Sequence, residues 1–248
     1  MASVVLVTGG GAGIGAALAG AFHARGDVVI IAGRTLAKLE AVARRHPGMV
    51  TQHLDVCDRA SVYAVADRMA EQHPTVDVLI NNAGVQQELD FSGAGPSAEE
   101  IDREIDTNLR GVIHVSNAFL PLLKRQSRSR LVHVGSGLGF VPLARAPVYS
   151  ATKAAVHSFT VSLRAQLAGT SVRVIELIPP VVATELHRGQ GQRPPRAMPL
   201  ATFTRAAMRG LDGGQDEIAV GVAKLLRIGA RIAPGRLFQI VNTPRSDA

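Results

Sequence analysis

SVVLVTGGGAGIGAALAGAFHA, residues Ser3 to Ala24, carries the reading that decides the fold. Ser3 to Thr8 is a Val-rich run of strand length, Ala16 to Ala24 reads as a small apolar helix, and TGGGAGIG, Thr8 to Gly15, lies between them. Glycines let the chain turn tightly and bring backbone N–H groups at a helix N-terminus close to a pyrophosphate, so strand, glycine loop and helix in this order read as a nucleotide site. Two threadings fit. Gly11, Gly13 and Ala16 match one dinucleotide pattern, whereas Gly9, Gly13 and Gly15, with Ile14 between the last two, match TGxxxGxG; the spacing does not choose.

Outward from this unit the chain alternates apolar runs with helix-length connections. Further strands are predicted at Val28 to Ala32, Met49 to Leu54, Val76 to Ile80, Leu131 to Val134, Val172 to Ile178 and Leu237 to Val241. With Ser3 to Thr8 that makes about seven, which describes an α/β, Rossmann-like, doubly wound parallel sheet with helices on both faces. Ligands bind such a sheet outside the carboxyl ends of its strands, where strand order reverses. No internal repeat or interdomain linker interrupts the pattern, so residues 1–248 are expected to be one domain, and Gly189 to Pro199 reads as a long loop within it.

Composition narrows the class. A chain of 248 residues with 46% hydrophobic and 19% charged residues builds one full core. Its one cysteine, Cys57, excludes an internal disulfide framework, and no Cys/His spacing suggests a metal. A reducing cytoplasm fits, and no apolar run reaches the ~20 residues of a membrane span. The net charge of +7 raises nucleic acid as a partner, and the basic stretches are Lys124 to Arg130 and Arg188 to Arg196. Neither interleaves aromatics, which are 4% of the chain, so stacking on bases has little support.

The end of the second strand is where a dinucleotide's 2′ position is read. An acid there bonds a free ribose hydroxyl and an arginine suits a 2′-phosphate; Gly33 leaves no acid and Arg34 supplies a cation, which favours NADP. Arg34 can instead simply begin the helix Leu36 to Ala43 on a solvated face. Asp55, at the end of the third strand with Val56 beside it, is placed to accept the adenine amino group, or it caps the helix that begins near Arg59, as Asp58 also can.

YSATK, Tyr149 to Lys153, opens a run to Leu167 with apolar residues at helical spacing. Tyr149 and Lys153 are then i and i+4 on one face, and an ammonium near a phenol favours phenolate, which suits acid–base work. Alone, that pair is common on solvated helices. Three more motifs change its weight: NNAG at Asn81 to Gly84, TNLRG around Asn108, and VGSG around Ser136, which stands 13 residues before Tyr149. With TGGGAGIG these make five motifs in order, and the chain resembles the short-chain dehydrogenase/reductase family from Ser3 to about Thr184. The AGR, HPG and IPPVVATEL segments look most like the oxidoreductases found alongside teichoic-acid D-alanylation genes.

The resemblance implies a catalytic set. Ser136 would hold a substrate carbonyl oxygen, Tyr149 would exchange the proton, Lys153 would bind the nicotinamide ribose and keep Tyr149 acidic, and Asn108 would support a proton relay. It also places Asn82, Ala83 and Gly84 beside the adenosine and Pro179, Val182 and Thr184 near the nicotinamide. The chain departs from the family at Pro180, where a glycine is usual; proline fixes φ and stiffens this loop. Val181 to Leu200 is expected to be a lid, with Arg188, Arg193 and Arg196 facing an acidic substrate and Glu185 as its one acid. The function implied is an NADP(H)-dependent oxidoreductase acting on a small carbonyl or alcohol, in a homodimer or homotetramer paired through helices around Asp102 to Leu123 and Tyr149 to Leu167. The alternative is a nucleotide-sensing or partner-binding protein of the same fold without turnover.

Overall fold

The computed structural model describes residues 2–184, 186 and 197–243. Strands β1 (Val4–Thr8), β2 (Val28–Gly33), β3 (Val50–His53), β4 (Val76–Asn81), β5 (Ser129–Val134), β6 (Val172–Ile178) and β7 (Glu217–Ala219) form one sheet in the order β3-β2-β1-β4-β5-β6-β7. Every neighbouring pair is parallel. Chain order reverses between β1 and β4, which opens a crevice at their carboxyl ends.

Both faces of the sheet are covered because its central strands carry apolar side chains on both sides. Val5 and Val7 of β1 point to one side, where α1 (Gly13–Ala24), α2 (Leu36–Ala43) and α7 (Leu200–Asp212) supply Leu18, Phe22, Leu39, Phe203 and Leu211. Leu6, between them in sequence, points to the other side. There α3 (Arg59–Gln72), α5 (Gly111–Lys124) and α6 (Pro147–Gln166) supply Val62, Val115, Phe119 and Leu163. Phe22, Phe119 and Phe203 are fully buried, and each stabilises the fold by roughly 1.5–3 kcal/mol relative to exposure.

Six of the seven expected strands are present with small shifts at their ends. The seventh differs. Leu237 to Val241 lies in a helix, α9 (Pro234–Asn242), which follows α8 (Ala223–Ile232). Pro234 is its first helical residue, and Leu237 and Val241, four apart, are its inward side chains. Asn242 ties its end down, accepting from Ala144 N at 2.6 Å and donating to Pro142 O at 3.0 Å. The real seventh strand, Glu217–Ala219, is only three residues long. The long helix expected from Asp102 is also divided: α4 (Ala98–Ile105) passes into a π-helical turn, Asp106–Arg110, before α5.

Candidate functional site

The glycine loop is built by close contact with β4. Gly9 and Gly13 have φ of 64° and 54°, which side-chain-bearing residues rarely adopt. Asn82 donates from Nδ2 to the carbonyls of Thr8 at 3.0 Å and Gly9 at 3.2 Å. Thr8 Oγ1 accepts from Asn82 N and Ala83 N at 3.0 and 3.1 Å, which clamps the ends of β1 and β4 together. Gly15 lies beneath the loop, where a Cβ would stand 2.4 Å from both Asn82 Nδ2 and Gly9 O. Helix α1 therefore starts at Gly13, ahead of the expected Ala16, and presents its free N–H groups to the crevice. The TGxxxGxG threading describes this turn.

A cavity of about 710 Å³ runs from that loop to α6. Gly9, Gly13, Ile14, Asn82 and Ala83 wall it at the loop, where Thr184 faces Gly13, and Gly84 continues the wall toward Lys153. Ser136, Tyr149 and Lys153 line the part toward α6, with Pro179 and Val182 also in the lining. Ser136, just beyond β5, sits in extended backbone and its Oγ accepts from Leu138 N at 3.1 Å. Lys153 Nζ donates to Val134 O at 2.9 Å and lies 5.7 Å from the Tyr149 ring centre. Asn108, in the π-helical turn, is fully buried and bonds both polar groups of Val85: Oδ1 accepts from its N–H and Nδ2 donates to its C=O, each at 2.8 Å. A Cβ on Gly84 would lie 3.2 Å from Asn108 Oδ1 and 3.8 Å from Lys153 Nζ, so both groups abut that glycine.

Burial dominates the protonation of this pair. The Tyr149 phenol is pushed up to about 12 by desolvation; the Ser136 hydroxyl beside it pulls down and the Glu104 carboxylate pushes further up. Lys153 is pushed down to about 8 by desolvation, against an upward pull from Glu176. The expected lowering of Tyr149 by Lys153 is therefore not met here. The ammonium is turned onto a carbonyl, and taking both groups out of water outweighs their attraction.

Several expected positions fall elsewhere. Arg34 is exposed and, like Asp55 and Val56, does not line the cavity. Asp58 caps α3 by accepting from Ala60 N, whereas Asp55 accepts from Cys57 N at 3.0 Å. Gly11 borders a second, shallower cavity of about 430 Å³ with Lys38, Arg45 and His46. Lys38 lines both cavities, and sequence reasoning missed it although it lies only four residues beyond Arg34. The ends of the expected lid are pinned: Ala183 N donates to Met198 O at 2.9 Å and Met198 N to Val181 O at 2.8 Å. Glu185, Arg188, Arg193 and Arg196 lie outside the described residues. Among the described residues no cluster of three or more His, Cys, Asp or Glu is arranged to hold a metal, and no helix is long and apolar enough to cross a membrane.

The family model for short chain dehydrogenases matches residues 3–194. The chain belongs to the short-chain dehydrogenase family. Among its relatives, DltE of Bacillus subtilis, an uncharacterised oxidoreductase, is 39% identical over 97% of each chain, which meets the subgroup resemblance drawn from AGR, HPG and IPPVVATEL. The NADP-dependent 3-hydroxy acid dehydrogenase YdfG of Salmonella typhi is 37% identical over 72% of each chain. A short chain dehydrogenase of Burkholderia cenocepacia, solved in complex with NADP, superposes with a TM-score of 0.86 at 30% identity over 98% of each chain. Short-chain dehydrogenase membership makes this chain an oxidoreductase of doubly wound fold.

Proposed function

We propose that the chain is an NADP(H)-dependent oxidoreductase that interconverts a small carbonyl compound and its alcohol. The observation that carries this reading is the meeting of Ser136, Tyr149 and Lys153 at one end of a cavity whose other end is the glycine loop. The residues fit a dinucleotide: the loop turns through two positive-φ glycines, a Cβ on Gly13 would close to 3.4 Å from Thr184, and α1 points its N-terminus inward. When bound, the nicotinamide supplies or accepts the hydride.

Gly9, Gly11, Gly13, Ile14 and Gly15 form the pyrophosphate turn, and Asn82, Ala83 and Gly84 wall the adjoining side. Arg34 and Lys38 supply the cations for a 2′-phosphate, with Asp55 and Val56 on the adenine side. Pro179, Val182 and Thr184 border the nicotinamide end. Ser136 donates to the substrate oxygen and holds the charge that grows there. Tyr149 passes its proton to that oxygen. The Tyr149 phenol is protonated at neutral pH and so has the proton to give, and the positive charge of Lys153 favours its release. Lys153 holds positive charge beside it, and Asn108 braces the π-helical turn against Val85. The NADP complex of the Burkholderia relative and the NADP dependence in the YdfG name support the cofactor.

A panel of carbonyls, 3-hydroxy acids and simple alcohols with NADPH, NADH and their oxidised forms, followed by nicotinamide absorbance, tests the reading. Turnover is expected with NADP(H) preferred. Tyr149→Phe is expected to abolish it with cofactor binding retained, since only the proton-bearing oxygen is removed. Nucleotide binding without turnover on any substrate would favour a sensing role. The assembly is a homodimer or homotetramer paired through α5 and α6, where Ala151 and Ala154 are exposed and allow close approach; a monomer mass by light scattering at micromolar concentration would remove it.

A further inference from the structure

The face of α6 that carries Tyr149 and Lys153 continues one turn further to His157, whose partner is a carboxylate. His157 Nδ1 lies 2.6 Å from Oε2 of Glu176, a fully buried residue of β6. Oε1 of the same carboxylate makes no hydrogen bond. It lies against Gly135, where a Cβ would come within 2.4 Å of it. Gly135 follows Val134, whose carbonyl receives the Lys153 ammonium. A half-satisfied buried carboxylate thus stands behind the strand end that holds Lys153. Such a group costs stability unless a nearby donor or positive charge offsets it.

We propose that Glu176, oriented by His157, is a positioning residue of the reaction centre, the buried counter-charge of Lys153. This rests on the reading that Lys153 serves the reaction. Burial pushes Lys153 down to about 8, and Glu176 is the group that pulls it back. The hydrogen bond to Glu176 raises His157, against partial burial. The His157 hydrogen bond fixes the orientation of that carboxylate behind the strand end. Among the described residues, the other charged groups around the pair have partners of their own: Arg164 of α6 bonds Val174 O and lies 3.6 Å from Glu217 of β7, and Arg227 of α8 pairs with the same Glu217. His133 of β5 is pushed down to about 3 and stays neutral, and Glu104 of α4 acts on Tyr149.

The test reads Lys153 directly. The chain has four lysines, Lys38, Lys124, Lys153 and Lys224, so ¹³Cε-lysine labelling gives few signals, and Lys153→Met assigns the one of interest. In the substrate-free protein, Glu176→Gln is expected to move the Lys153 titration midpoint down by about one pH unit. Glu176→Asp keeps the charge but withdraws it by one methylene. It is expected to fall between, and it carries the test alone should the Gln variant not fold. A midpoint shared by wild type and variants would overturn the proposal. The alkaline limb of NADPH turnover should move with the midpoint. If the midpoint moves and that limb does not, Glu176 is still the counter-charge but the catalytic reading of Lys153 fails.

Discussion

Arg34 and Lys38 divide the cofactor question between a residue that sequence pointed to and one that only the fold exposes. Arg34 follows β2, is exposed and stands off the cavity, whereas Lys38, on the first turn of α2, packs its stem beside Gly11 and lines both cavities. If both meet the 2′-phosphate, Arg34→Ala and Lys38→Ala should each weaken NADPH binding by about 1.5–3 kcal/mol and leave NADH nearly unchanged. Calorimetric titration of each variant with the two nucleotides checks this; equal losses for both would remove the residue from the 2′ site. That Ser136, Tyr149, Lys153, Gly9 and Gly13 line one cavity was legible through the family resemblance, whose motifs are short stretches of sequence. Lys38, Thr8, Glu104 and Glu176 were not, since a lysine on a helix or an acid in a strand acquires its meaning only from what another segment brings against it. The Tyr149 and Lys153 protonation shifts escaped for the same reason: spacing put the two side chains on one face but held no information on how deeply they would be buried.

Between residue and fold, the joint of β1, α1 and β4 is the most tightly specified element. A methyl on Gly15 would overlap Asn82 Nδ2 and Gly9 O at 2.4 Å. Neither can retreat freely, because Asn82 holds two carbonyls of the loop. Gly15→Ala is therefore expected to cost roughly 1–3 kcal/mol of stability by urea unfolding and to weaken nucleotide binding beyond that loss. Gly26→Ala, at a φ of 85° with open space around it, should lower stability with binding intact. Six strands could be read because short runs rich in Val, Ile and Leu, uninterrupted at Val4 to Val7 and Val28 to Ile31 and broken by a few polar residues elsewhere, suit strands buried on both faces. The seventh failed because a five-residue apolar run has no period of its own: LFQIV fits a strand, yet Pro234 and the i, i+4 pair Leu237 and Val241 made it a helix. Glu217–Ala219, with a single strongly apolar residue, gives almost no signal and pairs only because β6 offers an edge.

Across the whole molecule, one buried imidazole fastens the sheet to the helices of one face. His133, the last residue but one of β5, places Nε2 2.9 Å from Ser116 Oγ of α5 and Nδ1 2.8 Å from Thr160 Oγ1 of α6. It is wholly buried and pushed down to about 3 by desolvation, with Arg164 and Lys153 adding repulsion. The sequence showed only a histidine inside an apolar strand, where a core residue and a ligand look alike. In the folded state the ring stays neutral through the mildly acid range, with one nitrogen donating and the other accepting. The unfolded chain takes up a proton near 6.5. A depressed folded value means that this contribution is fully present above about 6.5 and is lost as the pH falls toward 3, at about 1.4 kcal/mol per pH unit. His157 works in the opposite sense: its raised value makes its contribution full below 6.5 and loses it as the pH climbs through the folded value. Comparison against a single variant cancels that background. His133→Gln keeps a neutral donor and acceptor but has no proton to gain. Its unfolding free energy should fall less than the wild type's between pH 7 and pH 5, by about 2 kcal/mol, even if it starts lower at neutral pH. Urea melts of the two proteins at pH 7, 6 and 5 measure the difference in slope, and parallel pH profiles would mean that the buried ring does not set the acid limit of the fold.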